Sequence, residues 1–241
     1  HLLLQFTTGG PSGEVIVIQH PEVLVVNHHL LFTDLAVRRA TANYTQSAVL
    51  PAYQRVVLDE AHNIEDAATS HLGVEITRRG LYRAMSRLDR RGRGILTAIH
   101  EIAGEVDDGA LLRERVENRV RPALSRARAE VEGLVERLEP LAPPTEGPVR
   151  LGEGGMGEPG DDPAVAERLR GTLSAFGALE RELAELRARL ELTEELADRL
   201  EGRLLDLRSI ERRLAASTHG LRLVLAPGDD APHFVRWLES R

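Results

Sequence analysis

Two adjacent carboxylates, Asp59 and Glu60, come directly after the apolar residues 56–58 (Val-Val-Leu). The apolar run predicts a short buried strand, because two of its three residues are β-branched. In open α/β sheets, acids at the carboxyl end of such a strand lie where nucleotides bind. Asp59 is then placed to hold, usually through water, the Mg²⁺ of bound ATP, and Glu60 to orient or polarise the attacking water.

His62 follows in the turn after this predicted strand, where it could couple a bound nucleotide to a neighbouring domain. The same residues also fit a simpler interpretation, in which the strand ends in an acidic N-cap for a helix that begins near Asn63. The tetrapeptide Asp-Glu-Ala-His alone leaves both interpretations open.

A second polar cluster, Asn27-His28-His29, follows the apolar residues 23–26, which predict another short strand. A functional interpretation gives Asn27 and His28 contacts with a ligand or a neighbouring domain. The structural alternative is a helix N-cap followed by two ordinary turn histidines. A zinc site built from His28, His29 and His62 is disfavoured, since structural zinc sites usually draw on cysteine as well.

Composition removes several kinds of chemistry from these 241 residues. All 31 basic residues are arginine, so the chain contains no phosphate-binding lysine, no Schiff-base lysine and no lysine general base. It contains no cysteine, which excludes disulfides, thiol catalysis and a cysteine-ligated iron–sulfur cluster on this segment. The net charge of −7 argues against a generally basic nucleic-acid coat but leaves a local arginine stripe possible.

The first residue and the hydropathy of the chain predict whether it is a fragment and whether it crosses a membrane. No run of about 18 apolar residues and no signal peptide is present, so we expect no membrane span and a cytoplasmic location. The first residue is His1 rather than methionine, which leads us to expect a fragment of a longer protein.

The first 65 residues have the pattern of a parallel α/β layer. Strands are predicted at 14–19, 23–26 and 56–58, and the apolar spacing predicts a helix over 30–39. A sheet with an intervening helix is the fold that this order favours.

The remainder of the chain is predicted to be mostly helical. Helical spacing covers 76–90, then 95–141 with a kink or new helix start at Pro122, then one long helix over 163–217, which would reach roughly 80 Å. The two longer stretches flank an acidic Gly/Pro-rich segment, 142–163, predicted to be a flexible loop, so they should form an antiparallel hairpin. The G-x-G-x-x-G at 152–157 is not a dinucleotide fingerprint, because no strand leads into it. Gly220 should end the helix, with strands over 221–225 and 234–238, where Trp237 should pack.

Together, these features resemble the DinG/XPD branch of superfamily 2 DNA helicases. In that family an Asn-His strand end precedes a DEAH box, and a helical arch domain interrupts the first motor domain directly after it. Here Asn27-His28 precedes Asp59-Glu60-Ala61-His62 by about 30 residues, and the helical region follows. The motifs resemble the family over residues 22–80, and the helical region resembles it in architecture.

The resemblance implies an α/β fold, with a partial P-loop-type parallel sheet and a large all-α insertion. Residues 1–67 would be part of the first motor domain, 68–219 an arch-like antiparallel helical hairpin, and 220–241 the return strands. It implies an enzyme that uses ATP and Mg²⁺ to move along single-stranded DNA and unwind duplexes in repair or replication. Asp59 and Glu60 would be the Mg²⁺–ATP pair, and His62 would link hydrolysis to strand movement.

Nucleic-acid contacts are expected from Asn27, His28 and a cluster of arginines. The densest basic cluster of the chain is Arg78, Arg79, Arg83, Arg87, Arg90, Arg91 and Arg93. Arginine contacts with phosphates would make DNA binding depend on salt concentration. The alternative for this cluster is a solvated helix face.

The chain also departs from the family pattern. The four cysteines that often hold an iron–sulfur cluster ahead of the Asn-His strand are missing, as are the phosphate-binding lysine and a second motor domain. We therefore expect the isolated chain not to hydrolyse ATP. The competing hypothesis is a non-enzymatic coiled-coil module that self-associates through its leucine stripes and in which the DEAH residues only cap a helix.

Overall fold

The chain divides into two compact units, the first ending at Glu75 and the second beginning at Ile76. The computed structural model describes residues 23–106, 109–142, 147–228 and 234–240. In chain order, the helices are α1 (His28–Thr41), α2 (Ile64–Leu72), α3 (Arg78–Leu88), α4 (Ile95–Ala103), α5 (Ala110–Arg115), α6 (Arg121–Leu138), α7 (Pro163–Glu191), α8 (Glu194–Arg199) and α9 (Glu201–Leu225). Two short strands are β1 (Val149–Arg150) and β2 (Trp237–Leu238).

The predicted α/β class is wrong, because the described residues are mainly helical. Their only sheet is the antiparallel pair β1–β2, with Val149 opposite Leu238. Residues 56–58 form no strand, and the Val57 side chain is 96% exposed. A parallel strand needs partner strands and cover on both faces. The described part of the first unit contains two helices and no sheet with which residues 56–58 could pair. The predicted strand 23–26 is reduced to a single bridge residue, Val25, and 14–19 lies outside the described residues.

Helix α1 confirms the helix predicted over 30–39 and extends it at both ends. The Asn27 side chain caps it by accepting a hydrogen bond from the Leu30 N–H at 2.8 Å. Ala42 caps its carboxyl end, where a left-handed backbone lets the Ala42 N–H reach the carbonyls of Arg38 and Arg39. Helix α1 packs against α2, which follows the Asp-Glu-Ala-His residues.

The second unit is built on three long antiparallel helices, α6, α7 and α9. Helix α7 packs against both α6 and α9. The direction of each pair follows from its contacts: Arg187 bonds to Glu211 and Thr218 to Glu180, so the numbers rise along one helix as they fall along the other. On the other side of α7, Arg115 pairs with Glu182 and Thr172 bonds to the carbonyl of Glu130, so the numbers again rise along one stretch as they fall along the other. The two predicted helical stretches therefore lie antiparallel.

The single helix predicted over 163–217 is wrong, because the chain folds back after Glu191. Leu192 lies at this reversal and is 85% exposed. On either side of it, the leucine stripes of α7 and α9 are buried in one continuous core. An unbroken helix would leave half of each stripe in water, so burial of apolar surface favours the reversal.

Two further predictions at helix boundaries have different outcomes. Residues Val116–Val120 form a π-helical turn and α6 begins directly after it at Arg121, so the new helix start predicted at Pro122 is confirmed. A proline cannot donate the next intrahelical hydrogen bond, and a π turn accommodates the missing donor. The strand predicted over 221–225 is wrong, since α9 continues through Gly220 to bury Leu221 and Leu225, which lie one turn apart on the core face.

The glycine-rich segment forms a tight turn beside β1. Gly152 and Gly157 form an antiparallel bridge, and both have φ near +85° (83° and 86°), which favours glycine. The prediction that Trp237 packs where the chain returns is wrong, because Trp237 is 44% exposed. Its neighbour Arg236 is buried instead and donates to both carboxylate oxygens of Glu158. In the part of the chain that the structure describes, no helix is long and apolar enough to cross a membrane.

Candidate functional site

The Asp-Glu-Ala-His residues form a turn that leads directly into α2. A short 3₁₀ turn, Ala61–Asn63, precedes Ile64, the first residue of α2. Glu60, just ahead of this turn, has a left-handed backbone (φ 48°, ψ 50°). For a residue with a side chain this conformation costs on the order of 1–2 kcal/mol, and such strain tends to cluster at functional sites.

Both acids are solvent-exposed; Asp59 contacts Glu60, and Glu60 contacts His62. Asp59 Oδ1 accepts a hydrogen bond from the Glu60 N–H at 2.9 Å. Glu60 Oε2 lies 3.2 Å from His62 Nδ1. Neither acid caps α2, and Asn63 at the N-cap position makes no side-chain capping bond, so the acidic N-cap interpretation is wrong.

These exposed carboxylates can bind a divalent cation only with help from other ligands. Among the described residues, no group of three or more histidine or acidic side chains is placed to hold a metal. A Mg²⁺ at Asp59 would need phosphate oxygens and water to complete its octahedral shell, which is how Mg²⁺ is usually held at nucleotides.

An open cavity of about 370 Å³ brings the Asn-His residues together with the beginning of α2. Its lining residues are Asn27, His28, His29, Asn63, Ala67 and Ser70. Asn63 directly follows His62, so the cavity connects the two sequence motifs, although Asp59, Glu60 and His62 do not line it. Asn27 also serves as the N-cap of α1, as the structural alternative predicted.

His71, which the sequence patterns do not single out, pairs with His29. His29 Nδ1 and His71 Nε2 are 3.0 Å apart, and the Thr33 hydroxyl lies 3.3 Å from His71 Nδ1. The pair joins the first turn of α1 to the last turn of α2. No local sequence pattern predicts this pair, because the two histidines are 42 positions apart. The zinc site considered for His28, His29 and His62 is not assembled.

Helix α3 carries four arginines of the cluster on its exposed face, Arg78, Arg79, Arg83 and Arg87, and the other three follow the helix. Thr77 caps the helix by accepting from the Gly80 N–H at 3.0 Å, and Leu81, Met85 and Leu88 lie on its buried side. The arginines alternate with these positions and therefore project outward.

The arginines of α3 differ in whether acids already neutralise them. Arg78 pairs with Glu132 at 2.9 Å and Glu139 at 3.0 Å, and Arg87 pairs with Asp206. Arg79 and Arg83, one turn apart, make no ion pair with any residue that the structure describes. These two cations are therefore available to an external anion.

Comparison with known proteins relates part of the chain to a helicase. Over 61 residues the chain is 34% identical to the ATP-dependent DNA helicase YoaA of Haemophilus influenzae. That stretch is 25% of this chain and 9% of the helicase, so the chain spans a small fraction of that relative. No family model matches the chain, and no solved structure matches it significantly. The chain is helicase-related over this stretch.

Proposed function

We propose that this chain is the DEAH-box segment of an ATP-dependent DNA helicase of the DinG/XPD type. The observation that carries the proposal is the Asp-Glu-Ala-His sequence at 59–62 in a chain with partial similarity to an ATP-dependent DNA helicase. The exposure of the turn supports it, because both carboxylates are accessible to a nucleotide and its metal ion.

In this mechanism Asp59 would hold the Mg²⁺ that neutralises the ATP phosphates, and Glu60 would orient the water that attacks the γ-phosphate. His62 lies within hydrogen-bond reach of Glu60, so a movement of the Glu60 carboxylate during hydrolysis would alter its contact with His62. Asn63 then connects this turn to the cavity that Asn27 and His28 line. The phosphate-binding lysine must be supplied from outside these 241 residues, which contain none.

The helical residues 68–219 are proposed as an arch-like insertion that contacts single-stranded DNA. Arg79 and Arg83 are its proposed phosphate contacts, because their charges are not neutralised by described acids. Arg78 and Arg87 are assigned a mainly structural role, since their ion pairs hold α3 to α6 and α9. Asn27 and His28 remain proposed contacts of the first unit.

Single-strand binding by the chain tests this assignment. We expect the double variant Arg79→Ala/Arg83→Ala to bind a labelled single-stranded oligonucleotide more weakly than wild type. The slope of log K against log salt should fall by roughly 1.4, because two phosphate contacts each release about 0.7 of a counterion from a single strand. Fluorescence anisotropy at several salt concentrations measures both quantities.

The matched control is Arg181→Ala/Arg189→Ala, which removes two exposed arginines of α7. These residues also lack ion pairs within the described residues, so the control loses the same net charge from another surface. Equal loss in both double variants would mean that α3 is not a specific contact. No binding by the wild-type chain even at low salt would contradict the DNA contact altogether.

The coiled-coil alternative is weakened by the structure. The leucines of α7 and α9 that would mediate self-association already lie in the internal core of the second unit. A surface that is buried within one chain is not available to a second copy.

A further inference from the structure

His29 and His71 form a pair of facing imidazoles that the proposed ATP chemistry does not use. Their nearest ring nitrogens are 3.0 Å apart, and the rings meet edge to face at 64°. Each histidine is fixed on a helix, His29 in the first turn of α1 and His71 in the last turn of α2. Helices position side chains more rigidly than loops do, which favours a defined site.

Thr33 determines which nitrogen of His71 carries the lone pair. The Thr33 hydroxyl donates to the carbonyl oxygen of His29 at 2.8 Å, so it can only accept from His71 Nδ1, at 3.3 Å. His71 is thereby held as the tautomer with its proton on Nδ1 and its lone pair on Nε2, facing His29. A histidine whose second ring N–H is held by an oxygen has the arrangement common to metal-binding histidines.

The spacing of the two nitrogens suits adjacent ligands of one metal ion. Two ligand nitrogens about 2.1 Å from a metal are separated by about 3.0 Å at the roughly 90° angle of square-planar or tetragonal Cu²⁺ and Ni²⁺ sites, and by about 3.4 Å at the tetrahedral angle of Zn²⁺. The observed separation of 3.0 Å therefore suits Cu²⁺ or Ni²⁺ as it stands, and Zn²⁺ after a shift of about 0.4 Å. His29 is solvent-exposed, and a rotation of its ring can direct both lone pairs to one point.

The surroundings leave room for the remaining ligands. His29 also lines the open cavity of about 370 Å³, so water can complete the coordination shell. We propose that His29 and His71 bind a divalent transition-metal ion that connects α1 to α2. Imidazole ligands favour Cu²⁺ over Ni²⁺ and Zn²⁺, and these over Co²⁺ and Mn²⁺. The site is distinct from the Mg²⁺ proposed at Asp59, which prefers oxygen ligands.

Titration of the untagged 241-residue chain with Zn²⁺ and Ni²⁺ by calorimetry tests the site. The expected result is one metal ion bound per chain, with a metal affinity at least tenfold lower in His29→Ala and in His71→Ala. Thr33→Val should also weaken binding by about tenfold, because losing a partner of a ligating histidine typically has that effect. His219→Ala, which removes a histidine of α9, is the control and should bind as wild type does.

A second measurement uses only the wild-type chain, so it does not depend on whether the variants fold. During Zn²⁺ titration, the ¹⁵N resonances of His29 Nδ1 and His71 Nε2 should shift together at one equivalent. Metal affinity unchanged in both histidine variants, or no shift at these two nitrogens, would overturn the proposal and leave the pair as a hydrogen bond. Neither readout involves ATP or DNA, so this result is independent of the proposed helicase function.

Discussion

Asp34 and Arg38 form a buried ion pair that organises the first unit. Arg38 Nε donates to Asp34 Oδ2 at 2.6 Å, and its other nitrogens donate to backbone carbonyls including those of Gln46 and Leu50. Burial alone would raise the pKa of Asp34. Hydrogen bonds from Arg38, the Leu50 N–H and Tyr53 more than offset this and lower the pKa below its ordinary value.

We expect Asp34→Ala to destabilise the first unit by about 3–5 kcal/mol, because it leaves the Arg38 charge buried without its partner. The control Tyr53→Phe removes one hydrogen bond to the same carboxylate and should cost only about 0.5–1.5 kcal/mol. Hydrogen exchange of the α1 amides measures both changes. Equal effects of the two substitutions would contradict a dominant role for the ion pair.

Glu158 and Arg236 give the second unit a contribution to stability that depends on pH. The hydrogen bond from Arg236 holds the pKa of Glu158 below its ordinary value. A carboxyl with a lowered folded-state pKa stabilises above its unfolded-state pKa, about 4.3, and loses this contribution as the pH falls through the folded value.

We therefore expect Glu158→Gln to lower the melting temperature at pH 7, with the difference from wild type shrinking below about pH 4. Thermal denaturation across that range measures it. A difference that stays constant from pH 7 to pH 3 would show that the carboxylate charge is not what stabilises this contact.

Local sequence reveals some of these residues and hides others. Asp59, Glu60 and His62 stand out because they are consecutive, polar and preceded by an apolar run. The spacing of Asp34 and Arg38 fits one helical turn, but their burial depends on the loop that returns over them. His71 has no local signature, because its role arises only when α1 and α2 pack together.

At the scale of elements, helices were predicted better than strands. A helix is stabilised by neighbours three and four residues away, so spacing and caps such as Asn27 identify α1. A strand depends on partners distant in sequence, and residues 56–58 have an apolar strand pattern without a described partner. The sequence does not predict the reversal at Leu192, because both leucine stripes have the same period and periodicity does not show where a helix folds back.

Helix α9 offers a matched test of the buried stripe. Leu207→Ala should destabilise the second unit by about 2–5 kcal/mol, because it leaves a cavity in the core. Leu205 lies two positions away and is 58% exposed, whereas Leu207 is fully buried. Leu205→Ala should therefore change stability by less than about 0.5 kcal/mol.

Urea denaturation followed by Trp237 fluorescence compares the two variants. Equal destabilisation would show that α9 does not pack through the Leu207 face. It would also reopen the possibility of one continuous helix after Pro163.

At the scale of the whole molecule, the chain combines a DEAH turn with a separate helical unit. It matches 9% of the length of YoaA and contains no lysine. Electrostatic stabilisation of a transferring phosphoryl group needs a cradle of cations and backbone N–H groups around the phosphates. This cradle must therefore come from outside the 241 residues, and the isolated chain should hydrolyse ATP no faster than buffer.

ATP hydrolysis stimulated by single-stranded DNA tests the central claim most directly. It should be measured for the longer polypeptide that carries this segment, as wild type and as Glu60→Gln. We expect the substitution to lower the rate by about 10²–10⁴-fold, the usual effect of losing a general base, while DNA binding is retained. Equal rates in the two proteins, or rapid hydrolysis by the isolated 241-residue chain, would contradict the proposal.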